Sequence, residues 1–191
     1  MSGLRRLTGF SAALAGLGLL GCEAPKIDFS TIQRPARPAE LDAFNVFVGD
    51  WTWEADVENA EGSDKHWTGT AKWEWTLDNR CLHGLLSAKT ANASFNAAGI
   101  WSWHPRDKEY MWWMFNDWGF PQQGTARYDK ENQSWDMTFK SVGLDGTPSY
   151  GRYTMKVVDH NTLEWALDEY ADVGRSMMPK MKMKGTYKRR A

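Results

Sequence analysis

Arg80, Asn116, Glu169 and Arg189 fall on the same two-residue alternation as a dense set of aromatic rings, so polar groups and rings share one face. A few hydrogen-bonding or charged groups among apolar walls is the arrangement that orients one small molecule. The rings on this face include Trp53, Trp73, Trp75, Trp101, Trp103, Trp112, Trp135, Tyr153 and Trp165. With Arg80 and Asn116 they form the candidate lining of a site for a small apolar or aromatic ligand. The same rings also suit a core that simply fills space, because burial is what large aromatics ordinarily do. Both roles stay open on the sequence. Each polar group also lies near the end of its segment, where it would reach solvent.

Catalytic chemistry finds less support. The chain has no Gly-x-Ser-x-Gly elbow, no His-Glu-x-x-His, no phosphate-binding loop and no Cys-x-x-Cys. Its four histidines, His66, His83, His104 and His160, lack metal-ligand spacing, and only His83 has an arguable interior position. A haem barrel of the nitrobindin type needs an inward axial histidine near the end of the chain, whereas His160 falls in a turn. Asp168 and Glu169 face opposite sides of a strand and do not act on one substrate together. No cofactor and no metal are expected. A hydrolase or isomerase of unknown substrate ranks third, behind binding and space filling.

A sheet has to position this face. Ten of the twelve tryptophans lie in segments where apolar and polar residues alternate, as in Trp51-Thr52-Trp53-Glu54-Ala55 and Trp73-Glu74-Trp75. Each ring hides about 150–250 Å² when buried, so together they must turn inward. About ten strand-like runs follow one another, at 48–58, 66–77, 80–89, 94–103, 109–118, 124–128, 134–142, 149–158, 163–170 and 181–189. Short breaks with turn chemistry separate them, such as Asp78-Asn79, Asp145-Gly146 and Asp159-His160-Asn161. Sequence neighbours therefore pair antiparallel, and so many twisted strands avoid bare edges most simply by closing into an up-and-down barrel. Leu41 to Val48 reads as a short helical turn that closes one end.

Two stretches break the simple pattern. From Tyr110 to Trp118 both faces are apolar or aromatic, so one meets the interior and the other needs cover or a partner, with Trp113 and Phe115 carrying any docking. Lys180, Lys182, Lys184, Lys188 and Arg190 occupy the outward parity of the last strand, a solvated face that would also attract anionic head groups. The formal net charge of −1, with 23 basic against 24 acidic residues, gives no field for nucleic acid. No nucleic-acid partner is expected, and the sequence names no protein partner.

The N-terminus carries Arg5-Arg6, then an apolar stretch from Phe10 to Leu20 too short to span a bilayer, then Leu19-Leu20-Gly21-Cys22. That tetrad resembles the lipobox of bacterial lipoproteins. The resemblance implies cleavage before Cys22, lipid on its sulfur and new amino group, and residence in the cell envelope, with Glu23 permitting the outer membrane, facing the periplasm. Only Cys81 would then remain, so no intramolecular disulfide is expected. The domain reading is a signal peptide at 1–21, a lipidated cysteine and Pro-rich tether at 22–40 and a barrel at 41–191. Gly49-Asp50-Trp51 after a short helix resembles the opening of lipocalin-like (calycin) barrels. The resemblance implies that Trp51 packs on a basic side chain near the end of the last strand, here Arg189, as a cation–π latch. Leu77 to Leu82 and Gly99 to Trp118 further resemble a bacterial secreted family of unknown function with such a barrel.

Overall fold

The structure is a computed structural model that describes residues 26, 28–142, 146–171 and 179–190. Cys22 and the whole export segment lie outside the described residues. The chain divides into two units, Met1–Pro35 and Ala36–Ala191. In the first, a single 3-10 turn at Phe29–Thr31 is capped by Asp28, whose Oδ1 accepts from the Ser30 N–H at 2.9 Å and the Ser30 hydroxyl at 2.6 Å.

The second unit is a closed antiparallel up-and-down barrel of ten strands. They are β1 Gly49–Val57, β2 His66–Thr76, β3 Cys81–Lys89, β4 Ser94–His104, β5 Glu109–Asn116, β6 Gln122–Asp129, β7 Ser134–Val142, β8 Pro148–Asp159, β9 Thr162–Ala171 and β10 Met181–Arg189. Each pairs with its sequence neighbours, and β1 pairs with β10 from Trp51↔Arg189 to Val57↔Met183. This is the expected fold class. The ten expected runs lie close to these bounds, except that β5 stops at Asn116 instead of running on to Trp118. There the Asn116 side chain folds the chain back on itself. Its Nδ2 donates to the Phe120 carbonyl at 2.8 Å, and its Oδ1 accepts from the Trp118 and Phe120 N–H groups, each at 3.1 Å.

The alternation read from the sequence sets the inner wall. On β1, Trp51, Trp53, Ala55 and Val57 are buried and the residues between them exposed. Register then pairs large inward aromatics with glycines on the adjacent strand: Trp53↔Gly69, Trp73↔Gly84, Trp112↔Gly124 and Trp165↔Gly185. Each ring thus lies flat against the wall. At Gly69 an added Cβ would stand 2.6 Å from Trp53 Nε1, and at Gly84 it would collide with the Trp73 indole. A 3-10 helix, Ala39–Val46, closes one end of the barrel, with Leu41 and Phe44 buried and Phe47 following into the core.

Trp73 is 1% exposed, so its ring has nowhere to retreat. Gly84→Ala is expected to lower stability by about 1–3 kcal/mol through overpacking. The check is a lower urea midpoint at unchanged slope relative to the unsubstituted protein.

Candidate functional site

The barrel interior falls into two halves of different character. In the half under the helix, Phe44 stacks on Trp135 with ring centroids 5.2 Å apart and meets Tyr110 edge-on at 5.0 Å. Phe47 packs on Trp73, Trp101 and Trp135, and Trp103 on Tyr110. Two polar tips find partners on the helix, the Tyr110 hydroxyl donating to the Glu40 carbonyl at 2.8 Å and Trp75 Nε1 to Asn45 Oδ1 at 3.0 Å, whereas the indole N–H groups of Trp73, Trp101 and Trp135 have none among the described residues. The enclosed void among Phe44, Trp101, Trp112, Trp135 and Met155 is about 10 Å³ and apolar. That is at the limit of what one water needs, about 10–15 Å³. Trp73 and Trp135 are buried in this half, and Trp75, Trp101 and Trp103 are half-buried and packed against them.

Toward the other end the inward positions change in size. Ala55, Ala88, Ala97 and Ser149 are buried, with Gly99 and Gly151 on the same wall, while Trp67, Phe95, Met114, Tyr153, Leu167, Met181 and Met183 are only half-buried. Between the halves sits an aromatic layer. Tyr153 stacks on Trp165 at 5.3 Å, Trp165 meets Trp53 at 5.9 Å, and Trp112 meets Phe139 at 5.9 Å. Burial pushes the Tyr153 and Tyr187 phenols, which hydrogen-bond each other, above the ordinary tyrosine value, so both stay neutral across the physiological range.

This half also holds the polar groups of the lumen. Ser149 is 3% exposed and its hydroxyl has no partner among the described residues. Glu169 is buried and pairs with Lys180 at 2.9 Å. The indole N–H groups of Trp53, Trp112 and Trp165 are likewise unpartnered among the described residues. An unpaired buried donor costs about 1–3 kcal/mol, so unused hydrogen-bonding capacity is present in both halves of the interior. Ser149 shares the inward alternation of Gly151 and Tyr153, the signal by which the sequence could have revealed it.

The remaining candidates sit elsewhere. Arg80 lies in the β2–β3 turn at the helix-capped end, not on the inner wall: β3 starts one residue later, after Leu77, Asp78 and Asn79 take left-handed conformations with φ of 50°, 55° and 58°. Asn116 uses its amide within its own loop. Arg189 lies over the Trp51 ring with Cζ 4.2 Å from the centroid. Its NH2 group donates to the Val46 carbonyl at 2.9 Å, its Nε to the His160 carbonyl at 3.0 Å, and its NH1 to the Val48 carbonyl. Trp51 itself donates to the Phe47 carbonyl at 2.7 Å. Gly49 has φ of 125°, and the Arg189 guanidinium passes 2.7 Å from where its Cβ would be, which accounts for glycine two residues before the tryptophan.

The histidines stay outside the lumen. His83 points outward, opposite to its neighbours Leu82 and Gly84, which corrects its arguable interior position. His66 pairs with Asp56 and His104 with Asp107, and His160 is in an exposed turn. Among the described residues no group of three His, Cys, Asp or Glu side chains is placed to hold a metal. The late lysines are engaged rather than free: Lys182 and Lys184 both pair with Glu58, which their charges hold below the usual carboxylate range.

No protein family profile and no curated protein matches this chain. Among solved structures it is similar to Rv2717c from M. tuberculosis, with a TM-score of 0.59 at 10% identity over 82% of this chain and 100% of that one. It is also similar to two designed barrels. One is a de novo designed fluorescence-activating β-barrel, with TM-score 0.43 and 13% identity; the other is EF1p2_mFAP2b bound to DFHBI, with TM-score 0.42 and 11% identity. Each of these covers 78% of this chain and 98% of its own. The likeness to Rv2717c is one of fold alone.

Replacing Arg189 with methionine removes the cation–π contact, worth about 0.5–2 kcal/mol, and strands three carbonyls. We expect a total loss of about 2–4 kcal/mol by chemical denaturation, with only part recovered in Arg189→Lys because an ammonium lacks the planar fork.

Proposed function

We propose that the chain is a lipid-anchored barrel of the bacterial cell envelope that binds a small apolar or aromatic molecule, entering at the end opposite the helix. The observation that carries this reading is the set of inward side chains left half-buried at that end, Trp67, Phe95, Met114, Tyr153, Leu167 and Met183, above a layer of stacked aromatics. Methionines there are flexible and polarizable, suited to moulding around a ring or an alkyl chain. Ser149 and the Glu169–Lys180 pair supply the few polar groups such a site needs. Nothing in the arrangement calls for a catalytic role.

A second reading has its own observation. The void of about 10 Å³ under the helix favours a side-chain-filled barrel that serves as a rigid docking body. The two readings part at a titration. Intrinsic tryptophan fluorescence of the barrel should change saturably with fatty acids, retinoids or flat aromatic dyes, and Leu167→Arg should abolish the response. A flat signal across that panel, with no molecule copurifying in native mass spectra, would leave the filled barrel as the function.

Support for the anchor is the Leu19-Leu20-Gly21-Cys22 motif followed by a proline-bearing tether. Several acyl chains at about 0.8 kcal/mol per buried methylene hold a protein firmly on a bilayer. Mass spectrometry of the wild-type protein is expected to find a mature chain beginning at Cys22 with acyl mass on that residue, lost in Cys22→Ala. An unmodified Cys22 would refute lipidation.

A further inference from the structure

The outer wall of the barrel is charged on nearly every strand. Asp50, Glu54 and Asp56 project from β1, Asp136 and Lys140 from β7, Arg152 and Lys156 from β8, and Lys184 and Lys188 from β10, all exposed. One sector departs from this. The outward residues at the middle of β3, β4 and β5 are Cys81, His83 and Leu85, Ala98, Ile100 and Ser102, and Met111, Trp113 and Phe115. No lysine, arginine, aspartate or glutamate stands among them. Register lines them up in rows, Leu85↔Ala98↔Phe115 and His83↔Ile100↔Trp113. Phe115 is 63% exposed, Leu85 48% and Ile100 40%. The helix, one expected cover for this face, is packed against the inward Phe44, Phe47 and Trp135 cluster instead. Leu85 and Phe115 flank a shallow groove of about 540 Å³ that passes over Ala97 and Ala98 and is rimmed by Asp50, Lys72, Asp117 and Arg190. Two strand spacings of about 4.8 Å separate them, room for one acyl chain between two ridges.

The place where the chain enters the barrel selects the occupant. Arg37 is held against the β2–β3 turn: its Nε donates to the Asn79 carbonyl at 2.6 Å, and its guanidinium lies 4.9 Å from the Trp75 ring centroid. The preceding chain therefore joins the barrel beside the start of β3, at the border of the uncharged sector. From Cys22 to Arg37 is fifteen residue steps, a reach of up to about 50 Å when extended. From Cys81 to Leu85 along β3 is only about 13 Å. A lipid on Cys22 thus lets this flank, and not only the capped end, come down on the bilayer. The chemistry of the sector suits the same occupant, since an indole and apolar side chains without charges are what the interfacial region of a membrane accepts.

We infer that the outward face of β3–β5, centred on Leu85, Ile100, Trp113 and Phe115, is a membrane-docking surface that lays the barrel flank-down on the bilayer to which Cys22 is anchored. This rests on the anchored reading above, and the test is built so that the two fail separately. The chain beginning at residue 22 with Cys22→Ser, which carries no lipid, is sedimented with vesicles of phosphatidylethanolamine and phosphatidylglycerol. The expected result is a bound fraction that largely survives high salt, because apolar side chains make the contact and charges stand only at the rim of the groove. The bound fraction should fall at least about tenfold, or about 1.4 kcal/mol, in Leu85→Asp/Phe115→Asp. Both residues are exposed, so the double variant should keep its melting temperature and its ligand-induced fluorescence change. Should it misfold, quenching of wild-type Trp113 fluorescence by lipids spin-labelled near the head group gives the same answer, read against Trp113→Phe. Absence of vesicle binding, or binding that the double variant retains, overturns the proposal. So does a dimer in sedimentation equilibrium that the double variant abolishes, which would give the face to a second copy of the chain. An unmodified Cys22 in the mass of the wild-type protein would remove the anchor while leaving this result to stand by itself.

Discussion

The barrel depends on one contact made across nearly the whole length of the folded unit. Arg189 on the last strand reaches the carbonyls of Val46 and Val48, 143 and 141 positions earlier, and lies on Trp51 of the first strand. Without β1 beside β10 the sheet would have two bare edges, each a row of unpaired backbone groups open to a second chain. The same guanidinium fixes the end of the helix, because Val46 is its last residue. A single side chain thus joins closure of the wall to closure of the lid. Contacts this distant in sequence form late, after shorter loops have closed, so the latch stabilises the finished barrel more than it guides assembly.

The size of residues on the inner wall follows from the closed circle. Several of the large rings lie over a glycine on the adjacent strand, as Trp73 does over Gly84, which lets the ring lie flat against the wall. Rings laid flat then stack on one another and on Phe44 and Phe47, which fills the capped half. In the other half Ala55, Ala88, Ala97 and Ser149 replace the rings, and the side chains above them keep partial exposure. Residue size thus grades along the barrel axis, with the helix-capped half richer in large buried rings.

The strands were legible because a tryptophan every second residue is a strong period-two signal and because the turns between them are short and polar. The inner face was legible for the same reason, down to Tyr153 and Trp165. What escaped the sequence was set by local or distant partners. Asn116 ends β5 through hydrogen bonds to Trp118 and Phe120, side-chain chemistry that alternation does not register. Arg80 leaves the wall because three left-handed residues precede it. Lys182 and Lys184 look like a free basic stripe until the β1–β2 loop brings Glu58 between them. Interior volume was illegible altogether, since it depends on the circumference of the closed sheet and on how each ring lies.

The inner and outer faces of β5 show how one strand meets two different demands. Tyr110, Trp112 and Met114 point inward, while Met111, Trp113 and Phe115 point outward, so the segment lacks the polar face that every solvated strand of this barrel carries. Its neighbours β3 and β4 share the feature, with Leu85 and Ile100 outward. Stability does not explain it, because an exposed phenylalanine contributes nothing to the core and adds to the risk of association. Three adjacent strands that shed their outward charges at matching register positions form a surface with a single chemical character. A surface of that kind has its own use, and it lies where Arg37 brings the incoming chain against the barrel. The one wall of β3–β5 thus carries aromatic packing on its inner side and rows without charge on its outer side, separated by the thickness of a single sheet.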